Sequence, residues 1–325
     1  MGPALYIRRG RACPADFGAC PGGVVRVLVV AISGSGRTGS TLLSLLLTQA
    51  PGTFNLGQSR SLWSAWAEDA PCTCGHGLRS CPVLGRLVPD ILAALGTDAE
   101  ALNRASLRFI ADAERVADWS DAGARQGLAV RHRLFIAAIE ALLAGLAGMG
   151  WRSFVDSSKV PEMALAFDLA AGGGLRLVNL MRDPRAVAVS WYRRKGSLPN
   201  VIRTSRKWAT RQRRLERYAA ALGERAAVLR YEELAAAPRQ SLGRLAVALG
   251  LDDPAGTFTG PETVDLDWTN QHLYPPANEK VLAERRTSVR IRPAEDWRAP
   301  EYRWLHRLAM LASWPEGARH YPAPP

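Results

Sequence analysis

The chain has 325 residues, 47% of them hydrophobic, which is enough to bury a large core. Its 42 Lys plus Arg against 30 Asp plus Glu leave a formal charge of +12, a balance that suits a polyanionic small ligand or nucleic acid. No zinc-finger, RNA-recognition or leucine-zipper pattern accompanies that charge, and the apolar runs fall short of the roughly 20 residues of a membrane-spanning helix.

Residues 1–23, with Pro3, Pro14 and Pro21 and no periodicity, read as a flexible leader ahead of one domain over 24–325. The leader lacks a signal peptide's apolar core, so the expected location is cytoplasmic. Val27 to Ile32 form a continuous apolar run, as a parallel strand buried on both faces requires, and Leu42, Leu43, Leu45, Leu46 and Leu47 supply the stripe of a following helix. Between them lie Gly34, Gly36 and Gly39, with the glycine spacing of the nucleotide-binding P-loop. The P-loop lysine is absent: Ser40 stands in its place and Arg37 sits inside the loop, where a guanidinium can fork onto phosphate or sulfate oxygens. A strand, a glycine turn and a helix start in that order make an anion cradle.

Further on, Cys72, Cys74, His76 and Cys81 place four soft donors within ten positions. That set is enough for tetrahedral zinc but tighter than the usual ribbon, so a zinc site and a buried or redox-labile turn both stand open. With Cys13 and Cys20 the cysteines number five, and an odd count argues against a disulfide framework. Residues 97–150 have the periodicity of two or three helices inserted between strands. Ser153 to Lys159 read as a strand ending in a polar turn. Leu177 to Met181 form a strand that runs into a helix with Asp183 as N-cap and Pro184 in its first turn.

Eight helical steps would hold Arg182 and Ser190 about 12 Å apart, so the two meet one anion only if Arg182 folds back from the strand end. The crowd of basic residues from Arg203 to Arg217 reads as a solvated helical face. Ala226 to Leu229 supply a further strand. Strands alternating with helices predict an α/β, P-loop-like three-layer fold: a mostly parallel sheet flanked by helices, with a helical insertion. Ligands would bind at its carboxyl edge, where Ser33, Asp156, Arg182 and Arg230 fall.

The pairing of R-T-G-S-T-L-L at Arg37 with R-D-P-R-A-V-A-V-S at Arg182 resembles the two signature elements of the PAPS-dependent sulfotransferase family, especially the branch of tyrosylprotein sulfotransferases and many bacterial enzymes. PAPS is 3′-phosphoadenosine 5′-phosphosulfate, the sulfuryl donor. The resemblance implies that Arg37, Thr38, Gly39, Ser40 and Thr41 hold the 5′-phosphosulfate and that Arg182, Ser190 and Arg194 hold the 3′-phosphate. Val228 to Leu234 is similar to a later strand-to-helix element and implies that Tyr231 contacts the cofactor. Asp156-Ser-Ser-Lys159 matches an element whose basic residue reaches the transferring group, so Lys159 joins Arg37 in meeting charge on the leaving oxygen. Sulfuryl carries less negative charge than a terminal phosphoryl group, so no metal is required for transfer, in keeping with the missing P-loop lysine. By the resemblance, Asn270, Gln271, His272, Asn278, Arg285, Asp296, Trp297 and Arg298 fall in a loosely matching region that covers the cofactor.

One position departs from the pattern. Relatives carry Gly-Glu after the first helix, with the Glu as general base, whereas this chain has Gly57-Gln58, and a glutamine cannot take a proton. Either His76, Asp156 or Glu68 replaces it, or the acceptor is acidic enough to react without strong base help, or the protein binds PAPS without catalysis. The acceptor class is open among small molecule, glycan, lipid and peptide, with nucleic acid not expected. An atypical P-loop kinase is the remaining alternative, disfavoured by Ser40. Trp63, Trp66, Trp119 and Trp151 suit either an aromatic pocket wall or plain core packing.

Overall fold

The computed structural model describes residues 5–6, 26–171, 174–269, 271–274 and 284–322. Most of 1–23, including Cys13 and Cys20, and also Asn270 and Asn278, lie outside the described residues. A two-residue strand, β1 (Leu5–Tyr6), runs antiparallel to the start of β2 (Arg26–Gly34). The apolar run of β2 sits at the centre of a parallel sheet. β4 (Ser153–Lys159) and then β3 (Thr53–Gly57) lie on one side of it, β5 (Leu175–Met181) and then β6 (Ala226–Arg230) on the other.

Period-two alternation along β2 explains why it needs to be apolar throughout. Val29 and Ala31 face a cluster that includes Phe54, Leu177 and much of the helical insertion, while Val30 and Ile32 face a second cluster with Leu43, Leu46 and Leu245. Helices therefore cover both faces, giving three layers. On the first lie α2 (Leu62–Ala67), α3 (Leu84–Leu95), α4 (Ala99–Arg115), α6 (Arg133–Gly148) and α7 (Pro161–Ala170). On the second lie α1 (Ser40–Leu47), α10 (Tyr231–Ala236) and α11 (Pro238–Leu249). The expected insertion is present as α4, α5 (Ala122–Arg131) and α6, with Asp98 and Asp121 capping α4 and α5 through bonds from Ala101 N and Ala124 N. After β5 come α8 (Pro184–Lys195), capped by Asp183 as its sequence implies, and α9 (Leu198–Leu222). No helix among the described residues is long and apolar enough to cross a membrane.

Trp63, Trp66 and Trp119 are buried in the first cluster and Trp151 packs against it, so these rings belong to the core, and of the four Trp119 also lines a small cavity with Arg214 and Tyr218. One buried charge is fully paired: the Asp168 carboxylate accepts from Arg125 at 2.7 Å, Arg225 at 3.0 Å and the Tyr218 hydroxyl at 3.0 Å.

The register decides where chemistry can happen. Gly57 pairs with Asp156, Ser33 with Lys159, Gly34 with Leu180 and Met181 with Arg230, which brings the carboxyl ends of all five parallel strands into one row. The first connection leaves β2 for the far side of β4, and the later strands build outward on the β5 side. The chain thus reverses its direction of winding at β2, where open parallel sheets bind ligands.

Candidate active site

The loop after β2 has its shape enforced by contact. A Cβ on Gly34 would sit 2.3 Å from the Leu180 carbonyl oxygen, and one on Gly39, at φ +86°, would press into the Tyr231 ring at 2.9 Å. Arg37 is held in the left-handed region at φ 72°. The Thr38 hydroxyl is buried and donates to Ser35 O at 2.8 Å, closing the turn. Ser40 and Thr41 then open α1, whose N-terminus has no side-chain cap and no acid in its first turn. Its positive end is thus available to an anion.

The separation of Arg182 from Ser190 is solved through the loop. Arg37 Nε donates to Ser190 Oγ at 2.9 Å, while Arg182 folds back and donates through Nη1 to Arg37 O at 2.9 Å. The Arg182 guanidinium lies 4.4 Å from the Tyr231 ring centroid, a cation–π stack that fixes both groups against Gly39. Trp208 Nε1 donates to Arg182 O at 3.1 Å, and Arg211 Nη1 donates to Gly34 O at 3.3 Å, so α9 braces both junctions.

Electrostatics mark the centre of this row. Lys159 ends β4 in the left-handed region at φ 64°, and its pKa is pushed down to about 8 by burial and then by the charges of Arg60, Arg37 and Arg211, against Asp156. Arg37 keeps much of its surface in solvent, yet partial burial and then the charges of Arg194 and Arg182 lower its pKa too. Burial likewise lowers that of Arg211. Among the described residues, none of Arg37, Arg60, Lys159, Arg182, Arg194 and Arg211 forms an ion pair with a carboxylate. Ser35 Oγ, Arg60 Nε and Arg182 Nε are moreover buried without a hydrogen-bond partner. Like charges crowded together, with orphaned donors among them, are the signature of a site shaped for several anionic oxygens.

Gln58 follows β3 and is buried, its Oε1 accepting from Arg60 Nη2 at 3.4 Å. Asp156, one strand over, accepts from Ser59 N and Oγ at 3.1 and 2.6 Å and from Ser158 N and Oγ at 3.0 and 2.7 Å. Burial nevertheless holds its pKa above the ordinary carboxylate value. Four donors occupy its lone pairs, so Asp156 positions the Gln58–Arg60 turn and the strand end. His76 and Glu68, the other candidates for a base, are exposed around the turn that follows α2.

Two members of the row carried little sequence signal. Arg60 lies in a short turn with no periodicity. Arg211 belongs to the cluster read as a solvated face, and most of that cluster is indeed exposed, but Trp208, Arg211, Gln212 and Leu215 share the inward stripe at helical spacing, and Arg214 pairs with Glu162 at 2.6 Å. In the C-terminal region, Gln271 is committed to Asn55 at 3.0 Å and Thr48 at 3.0 Å. Asp296 pairs with Arg193, Trp297 packs with α8, and Arg285 is exposed. The four-donor set around Cys72 is corrected in one member. His76 is exposed, and His272 joins Cys72, Cys74 and Cys81 instead. A groove of about 580 Å³ between α9 and the helix Arg303–Ala312 contains none of the strand-end residues.

The sulfotransferase domain of an olefin synthase from Synechococcus PCC 7002 is similar in structure, with a TM-score of 0.48 and 20% identity over 88% of this chain and 94% of that one. A sulfotransferase domain from the curacin biosynthetic pathway gives 0.46 and 18%, over 89% and 98%. No curated protein matches the chain. The sulfotransferase family profile matches residues 30–255, from within β2 through the turn after α11. Because that match takes in well over half of the chain and both strand-to-helix junctions, the chain belongs to the sulfotransferase family.

Proposed function

We propose that the strand-end row binds PAPS and that the protein transfers its sulfuryl group to a hydroxyl or amine of an acceptor, in the manner of the tyrosylprotein and bacterial branch. The observation that carries this reading is the set of six cations at one sheet edge without a carboxylate partner among the described residues. The residues fit the donor at both ends. The glycine loop, Arg37, Ser40 and Thr41 lie at the α1 N-terminus for a 5′-phosphosulfate, and the orphaned Arg182 Nε, with Ser190, Arg194 and the Tyr231 ring, lies beside them for a 3′-phosphate and its nucleoside.

PAPS supplies an activated sulfuryl group, whose transfer leaves negative charge on the bridging oxygen. Arg37 and Lys159 are the groups placed to meet that charge, and both are held in strained left-handed backbone, so they need little reorganisation during the reaction. By analogy with phosphoryl transfer, fixed cations of this kind do most of the work in a loose displacement. Lys159, with a pKa near 8, is charged over most of the neutral range. Gln58 orients rather than accepts a proton, through its bond with Arg60. That assignment favours an acceptor that ionises readily, such as a phenol. It also supports a second reading, in which the protein binds PAPS or another polyanion without turnover.

A thermal-shift titration with adenosine 3′,5′-bisphosphate tests the binding half. Micromolar stabilisation that is lost in Arg182→Ala, with no comparable response to ATP and magnesium, is the expected result. Stabilisation by ATP and magnesium alone would favour a kinase. Transfer of labelled sulfate from PAPS to a panel of phenols, glycans and peptides then separates an enzyme from a binding protein.

A further inference from the structure

We propose that Cys72, Cys74, Cys81 and His272 form a structural zinc site that locks the C-terminal segment 271–274 against the β3 edge. The three sulfurs and an imidazole nitrogen all lie within 4.8 Å of one another. His272 Nδ1 is 3.2 Å from Cys81 Sγ and 3.8 Å from Cys72 Sγ. A tetrahedral zinc with Zn–S of about 2.3 Å and Zn–N of about 2.0 Å requires neighbouring donor atoms about 3.5–3.8 Å apart, so the donors already converge on such a geometry. Soft thiolates with one imidazole select zinc over the hard cations magnesium and calcium.

The surrounding backbone is built for the same purpose. Cys72 and Cys74 sit on a tight hairpin in which Cys72 N donates to His76 O at 2.8 Å, Gly75 N to Cys72 O at 3.0 Å, and Pro71 bridges to Gly77. Gly75, at φ 94°, turns the chain directly after the second cysteine. Leu84 N points at Cys81 Sγ at 3.4 Å, an N–H donor suited to a thiolate. His272 stacks on Phe54 with ring centroids 5.7 Å apart and planes 15° from parallel, which fixes the imidazole. Cys72, Cys81 and His272 are buried and Cys74 is partly so, and four protein donors leave a tetrahedral ion no position open to substrate, as a structural site requires.

The site would fasten two stretches that are 200 positions apart in the chain. Thr73 already docks onto the far stretch, with Thr73 N donating to Leu273 O at 2.9 Å, Leu273 N to Thr73 Oγ1 at 2.8 Å, and the Thr73 hydroxyl to Gln271 O. Tyr274 then reaches Leu56 O at 3.1 Å, and Leu273 packs over Gly57, the residue before Gln58. The metal holds this wall next to the strand-end row without taking part in transfer.

Elemental analysis of the full chain, produced in zinc-supplemented medium and freed of loose metal, should find about one zinc per molecule. Replacing zinc by cobalt(II) should give the intense thiolate-to-metal absorption of a tetrahedral sulfur-rich site. Cys81→Ser and His272→Ala should each lower the zinc content several-fold, whereas Cys13→Ser combined with Cys20→Ser should leave it unchanged. A folded chain that holds no zinc and gives no cobalt spectrum would overturn the proposal. So would a disulfide among Cys72, Cys74 and Cys81 in the native protein, or zinc that disappears with Cys13 and Cys20.

Discussion

Two charge centres in this molecule follow opposite rules. Around Asp168 the protein encloses a carboxylate almost completely and answers it with two arginines and a tyrosine hydroxyl, tying α5, α7 and α9 together. At the carboxyl edge of the sheet, Arg37, Arg60, Lys159, Arg182, Arg194 and Arg211 crowd together, and the strongest charge effects on Lys159 come mostly from other cations. The first arrangement is complete within the chain. The second has no carboxylate partner among the described residues, and under the proposed function an anionic ligand supplies one.

The largest effect should come from breaking the first centre. Asp168→Ala leaves two half-buried arginines without their carboxylate and is predicted to cost about 3–5 kcal/mol in chemical denaturation, by the same amount with and without adenosine 3′,5′-bisphosphate. A loss seen only with the nucleotide present would show that the comparison is drawn wrongly.

Lys159→Met tests the second centre and should do the reverse. Turnover is expected to fall about 10²–10³-fold, while the ligand-free protein melts no lower than the parent at pH 7. The lowered pKa means that a charged Lys159 costs the fold stability at that pH. Unchanged turnover in a stable variant would remove Lys159 from the chemistry.

A smaller effect follows from proton linkage. Below pH 8 Lys159 is charged in both free and bound protein, so this group leaves affinity unchanged; above pH 8 the free protein has lost the proton that an anion would restore, and affinity should fall by up to tenfold per pH unit. Calorimetry in buffers of different ionisation enthalpy should register proton uptake there, and affinity that rises through pH 8 would contradict the sign. The smallest change is expected from Gln58→Glu, which adds a carboxylate beside Arg60. Turnover should shift by less than the roughly 10²–10⁴-fold of a general base, and a gain in that range would identify the position as a vacated base site.

The parts of the site written in contiguous residues were legible in the sequence. The loop from Gly34 to Thr41 and the junction from Arg182 to Arg194 each combine an apolar strand, a turn and a helix start, and the structure brings both to one sheet edge. What escaped depends on distant partners. β3 alternates polar and apolar residues over only five positions, a pattern too short to stand out, and its polar Thr53 and Asn55 are buried as well, Asn55 bonded to Gln271 and Thr48. Arg211 is one arginine among many until the register of α9 turns it inward. The imidazole beside the cysteines follows the same logic. His76 is adjacent in sequence, but the hairpin points its residue outward, and a segment from the other end of the chain delivers His272.

Helix α9 grips the end of β2 through Arg211 and the end of β5 through Trp208, two side chains one helical turn apart. A rigid rod attached at both points acts as a ruler, so it holds the two strand-to-helix junctions at a fixed separation. If the proposed function holds, selectivity by length should follow: an adenosine carrying anions at both its 3′ and 5′ positions would span the gauge, whereas the same nucleotide without its 3′-phosphate would engage a single handle.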